Sequence, residues 1–106
     1  MKRGEVWWIN FESSLGGEIR KKRPAVIVSN NASNQFLNRV QVIPITSRID
    51  KLYPSESSVT FRGKKAKAMA DQITLVSKKR LMNQAGTISR SDLEGIERAI
   101  FIQLDL

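Results

Sequence analysis

Apolar and polar residues alternate along EVWWINF at 5–11, which predicts a strand with Trp7, Ile9 and Phe11 on one face. The next dozen residues are polar, contain Gly16-Gly17 and end in the basic run Arg20-Lys21-Lys22-Arg23, the pattern of a positively charged mobile loop. Pro24 opens PAVIVSN, a continuous β-branched run that predicts a buried strand, with proline at its first position where a missing N–H needs no partner. An Asn-rich stretch from Asn30 to Asn38 predicts a helical turn carrying Phe36 and Leu37. VQVIPIT at 40–46 predicts another strand, as do SSVTF at 57–61 and the stretch from Ala66 to Val76, with a turn at Arg62-Gly63-Lys64. A short helix is expected around 78–83. A longer one is expected from Ser91, where Ser91 and Glu94 form a capping box and Leu93, Ile96, Ile100 and Leu104 share a face. Short strands separated by turns and closed by a terminal helix suggest a mainly β fold, a small SH3-like antiparallel barrel. Trp7, Ile9, Phe11, Val26 and Val28 read as core, and Trp8 as the exposed aromatic.

The chain has 106 residues, so a single domain spanning 1–106 is expected. With 18 Lys and Arg against 10 Asp and Glu, the net charge is +8 and favours an anionic partner. The absence of Cys and His excludes disulfides, most zinc sites and any mechanism that needs a thiolate or an imidazole; it also fits a cytoplasmic protein. No apolar run is long enough to span a bilayer, so no membrane association is expected, and Met1-Lys2-Arg3 leads into a strand and not a signal peptide. The acids are scattered, and Asp92, Glu94 and Glu97 do not share a helix face, so they read as solvated surface and not as metal ligands. With no phosphate-binding glycine loop either, two-metal nucleases and NTPases are poor candidates.

The chemistry left is one whose nucleophile comes from the substrate. RNA carries a 2′-hydroxyl that can attack its own phosphodiester if a protein positions it and stabilises the phosphorane. Arg20, Arg23 and Arg48 offer planar forks for phosphate oxygens beside loops or strand ends, and Thr46 and Ser47 supply hydroxyls. The basic run Arg20-Lys21-Lys22 and the cluster Arg62, Lys64, Lys65, Lys67 suit either a phosphate track or a solvated face. On composition and spacing alone, a non-catalytic RNA- or DNA-binding barrel is as good a reading.

The order KRGEVWWINF, GEIRKKRPAVIVSN, VIPITS, then ADQ followed by KKRL, resembles the successive motifs of the MazF/PemK toxin endoribonucleases over nearly the whole chain. The resemblance implies a CcdB/Kid-like barrel, a homodimer and metal- and cofactor-independent, sequence-selective cleavage of single-stranded mRNA. It also implies a toxin of a type II toxin–antitoxin pair, inhibited by a cognate antitoxin with an acidic flexible tail and meeting operator DNA only through that complex.

Matched position by position, the resemblance makes Arg23 the catalytic arginine and Thr46 the threonine at the cleavage site, with Ser47 beside it. Glu18 takes the place of the acid five residues before the arginine. Asp71 and Gln72 match an Asp-Gln pair near the site. Glu18 or Asp71 would accept the 2′-hydroxyl proton, and Ser47, Arg20, Lys21, Arg48, Gln72 and Lys64 would bind RNA. The chain departs from the family pattern at Ile19 and Arg20, where Gln and Gly are frequent. It departs again at Thr74, often basic, and at Met69, arginine in Kid-like toxins. These departures point to a different sequence preference. The rival functions are a CcdB-like toxin that binds gyrase without cutting RNA, and an inactive RNA-binding module.

Overall fold

The computed structural model describes residues 1–11 and 21–106. Along it run β1 (Glu5–Phe11), β2 (Lys21–Ile27), α1 (Asn31–Phe36), β3 (Arg39–Thr46), β4 (Glu56–Phe61), β5 (Lys64–Met69), β6 (Thr74–Ser77), β7 (Leu81–Thr87) and α2 (Arg90–Leu104). The strands form one antiparallel sheet in the order β4-β5-β3-β2-β1-β7. β6 lies beside β3 as well: β6 pairs Arg39–Val42 of β3, and β5 pairs Ile45 and Thr46. The expected mainly β architecture is present, but the sheet does not close into a barrel, and β4 and β7 remain its two ends. Side chains cover what backbone pairing leaves open at those ends. Asp92 Oδ2 accepts from the Thr60 amide (2.8 Å), and Arg62 Nε donates to the Ala85 carbonyl (3.1 Å), tying the β4–β5 turn to β7. No helix among the described residues is long and apolar enough to cross a membrane.

β2 and β3 are apolar on both faces because both faces are covered. On one face Val6, Val26, Ile43 and Ile45 pack with Val59, Ala66 and Ala68 and with Ile96 and Ala99 of α2. On the other, Ile9, Ala25, Ile27, Val40, Val42 and Val76 form a second core, with Trp7, Phe11 and Leu81 half-buried at its border. Each fully buried Val or Ile contributes on the order of 1.5–3 kcal/mol. Val28 is half-buried against the first core, and Trp8, expected to be exposed, is half-buried as well.

Several boundaries differ from the sequence expectation, each for a local reason. Pro24 sits inside β2, opposite Trp8, and pairing with β3 begins one residue later at Ala25 opposite Pro44, so Pro24 has only one neighbouring strand. The expected strand from Ala66 to Val76 is broken by a 3₁₀ turn at Ala70–Gln72, which lets β5 and β6 use successive parts of the same β3 edge. The short helix expected around 78–83 is confined to its first three residues. A 3₁₀ turn at Lys78–Arg80, capped by Ser77 Oγ, leads directly into β7. α2 is capped two residues before the expected position: Ser89 Oγ accepts from the Asp92 amide, and the preceding Ile88 joins the same core as Leu93, a hydrophobic staple. α1 forms within the Asn-rich stretch, capped by Asn30. It is anchored by buried Asn34, whose amide binds the Ser29 carbonyl (2.8 Å), while Phe36 stays exposed.

Candidate functional site

An open groove of about 1070 Å³ runs across one end of the sheet. β2 contributes Lys22 and Arg23, and the end of β3 contributes Thr46, followed by Ser47 and Arg48. The opposite wall is the β4–β5 hairpin with Phe61, Arg62 and Lys64, continuing into Lys65 and Lys67 of β5; Trp8 of β1 also faces the groove. Along β5, Ala66 and Ala68 belong to the first core, so the two-residue period turns Lys65 and Lys67 to the other side. The lining thus carries seven cationic residues and, among the described residues, no carboxylate. Such a concentration of one sign is a field for an anion with several charges.

Thr46 is held at its hydroxyl. Its Oγ1 accepts from the Arg48 amide (3.2 Å), which turns the chain out of β3 and leaves the O–H free to donate to a ligand. Arg23 is half-buried and fixed in register opposite Ile9 of β1, so its backbone is rigid where its guanidinium meets the groove.

Lys67 is the one groove cation withdrawn from solvent, at 8% exposure. Its Nζ donates to Glu56 Oε1 (2.9 Å) and to the Lys51 carbonyl (2.7 Å), and it lies 5.7 Å from the centre of the Tyr53 ring. The same Glu56 oxygen accepts from the Tyr53 amide (2.9 Å). One buried ion pair therefore pins the segment between Ser47 and β4, the segment that begins at the groove. Burial opposes ionisation of Glu56, but the Tyr53 amide and the Lys67 ammonium outweigh it and hold the carboxyl below its ordinary value. A folded-state pKa below the unfolded one gives stability that is complete above the unfolded value of 4.5 and is lost as pH falls through the lowered value. Urea midpoints should hold steady above pH about 5 and decline below it. Glu5, also lowered against its burial by the Trp7 indole and the Lys2 amide, adds to that decline. Glu56→Gln should make the acid decline shallower, and an unchanged slope would dismiss the pair as its source.

Of the residues singled out in the sequence, Arg23, Thr46, Ser47, Arg48 and Lys64 meet in this groove. Asp71 and Gln72 lie on the 3₁₀ turn just after Met69, itself a lining residue; both are exposed and neither belongs to the lining. Gln72 Nε2 contacts Met69 Sδ (3.5 Å). Glu18 and Arg20 fall outside the described residues. Lys21 is placed only by its backbone, opposite Phe11. Sequence reasoning did not bring Phe61 to the site; it read Trp8 as an exposed aromatic, and Arg62, Lys65 and Lys67 as either a phosphate track or a solvated face. The signal that could have found Lys65 and Lys67 is their alternation with Ala66 and Ala68.

The family described as PemK-like, MazF-like toxin of type II toxin–antitoxin system matches residues 2–104. The chain belongs to this family. It is thereby one of the MazF/PemK endoribonuclease toxins. Endoribonuclease MazF9 of Mycobacterium tuberculosis is 36% identical over 115 residues, an alignment covering 100% of this chain and 98% of that protein. Among solved structures, the MazE–MazF complex of Deinococcus radiodurans superposes with a TM-score of 0.85 at 25% identity, covering 100% of this chain and 96% of that one. MazF alone from the same organism gives a TM-score of 0.83 at 25% identity, covering 100% and 97%.

Proposed function

We propose that this toxin is a metal-independent endoribonuclease that cuts single-stranded mRNA at selected sequences in the cytoplasm. The observation that carries the reading is the groove, in which Arg23 and Thr46 stand among five further cations and the committed Lys67. An RNA strand crossing it places a phosphodiester near Arg23. The adjacent 2′-oxygen attacks phosphorus, an O2′–P bond forms and the P–O5′ bond breaks, giving a 2′,3′-cyclic phosphate and a 5′-hydroxyl. Arg23 binds the equatorial oxygens as charge grows on the phosphorane; it remains protonated throughout and is not the acid. Thr46 donates its O–H to the phosphate or to the attacking oxygen. The 2′-hydroxyl proton passes to a carboxylate, Glu18 or Asp71, and the departing 5′-oxygen takes a proton from solvent water. Ser47, Arg48, Lys64, Gln72, Arg20 and Lys21 hold the flanking strand.

The partners follow from the same chemistry. A groove lined by cations suits an antitoxin whose acidic, flexible tail folds on binding and excludes RNA. The working unit in this reading is a homodimer.

Among the described residues no three carboxylates gather into a metal-binding group. Cleavage of a long synthetic RNA should therefore proceed in excess EDTA and leave cyclic phosphate and 5′-hydroxyl ends. RNA affinity should fall steeply with added salt, because the entropy gained by releasing phosphate-bound counterions shrinks as the bulk salt concentration rises. Cutting that stops with chelator and returns only with Mg²⁺ would end the mechanism, and binding without any cutting would favour the inactive RNA-binding module.

A further inference from the structure

The β4–β5 turn contains an exception to its own backbone rules. Phe61 pairs with Lys64, so Arg62 and Gly63 alone make the turn, with φ of 52° and 77°. Two positive φ values define the turn that favours Asn-Gly or Gly-Gly, and an arginine at its first position is strained. Strain kept at one residue of a binding groove is a reason to look for its use.

The Arg62 side chain is pre-arranged. Its guanidinium lies 5.6 Å from the centre of the Phe61 ring, and its Nε donates to the Ala85 carbonyl at 3.1 Å. Together these contacts fix the plane of the fork, with Nη1 and Nη2 making no hydrogen bond among the described residues. Lys22, Lys64 and Lys65 already offer charge to the phosphates of a strand in the groove, which leaves the Arg62 fork open to another acceptor. A fixed plane with two parallel donors suits a planar acceptor pair, and O6 with N7 of guanine is the base edge that offers one.

We propose that Arg62, stacked on Phe61, is a specificity-determining residue that reads a guanine at one fixed position beside the scissile phosphate. The inference rests on the groove being the RNA-cleaving site. It assigns Arg62 no role in the bond-breaking step.

The test maps cleavage sites in a randomised RNA pool for the wild type, Arg62→Lys and Arg62→Asn. Lysine keeps the charge without the fork, and asparagine suits the turn better than arginine, which offsets the lost tie to Ala85, so its melting temperature should not fall. Both variants should lose preference for guanine at one position by about 5- to 150-fold, while cutting elsewhere in the pool continues. Equal slowing at every sequence, or an unchanged preference, would overturn the assignment, the former making Arg62 a phosphate contact or a structural tie between β4 and β7. A wild type that cuts nothing in the pool would remove the RNA-cleaving reading and this one with it. A cutting wild type with a guanine preference unchanged in both variants would remove only this one.

Discussion

Arg23→Lys should slow single-turnover cleavage about 100- to 1,000-fold, equivalent to about 2.7–4 kcal/mol, the usual loss when one donor is removed from a site of developing negative charge. The expectation depends on shape, since lysine retains the charge. A guanidinium can bind two phosphorane oxygens in one plane, whereas an ammonium meets them as a point charge. Arg23 is also well placed to be rigid, because β2 is paired on the Arg23 side with β1 and its neighbour Ala25 is wholly buried. RNA affinity should change much less than the rate, since the other cations of the groove remain. The measurement is the cleavage rate of a single-site RNA at saturating protein, with circular dichroism to verify folding. A folded Lys variant cutting at close to the wild-type rate would exclude Arg23 from the reacting centre.

Lys67→Met should destabilise the fold by about 3–5 kcal/mol, because it strands the Glu56 carboxylate in a buried position. Both side chains are about nine-tenths buried, at 10% and 8% exposure, so solvent screens the pair little. The Lys51 carbonyl would lose its partner too, but it lies on an exposed residue where water can replace the ammonium. Adding Glu56→Leu to the methionine variant should recover most of the loss, since an apolar pair of similar volume removes the stranded charge. Urea denaturation at pH 7 measures each step. A single variant as stable as the wild type would show that the pair only decorates the groove.

The apolar strands were legible because their burial is written into composition. β2 and β3 are covered on both faces, so PAVIV and VQVIPIT contain little else. β7 was not legible: LMNQAGT is mostly exposed, and only pairing with β1 makes it a strand. The start of α2 was read at Ser91, three residues before Glu94, but Ser89 stands at the same spacing from Asp92. Ile88 decides for Ser89, because a buried residue before the cap can staple to Leu93. The groove was legible only through resemblance. Arg23 and Thr46 are far apart in sequence, and nothing in either local pattern says that β2 and β3 are neighbours. Arg62 was visible as a charge in a turn, but its backbone conformation and its place over Phe61 belong to three dimensions alone.

A sheet with free ends is a hazard, because an unpaired strand edge can recruit another chain and seed aggregation. Here the defence is made of single side chains. Asp92 occupies the Thr60 amide on β4, and Arg62 occupies the Ala85 carbonyl on β7. Each guard hangs on one residue, so one substitution frees the backbone group it occupies. Edge protection and the proposed base reading then meet at the same arginine: a substitution that retunes base preference at Arg62 also gives up the contact with the Ala85 carbonyl, so a gain in one can be a loss in the other.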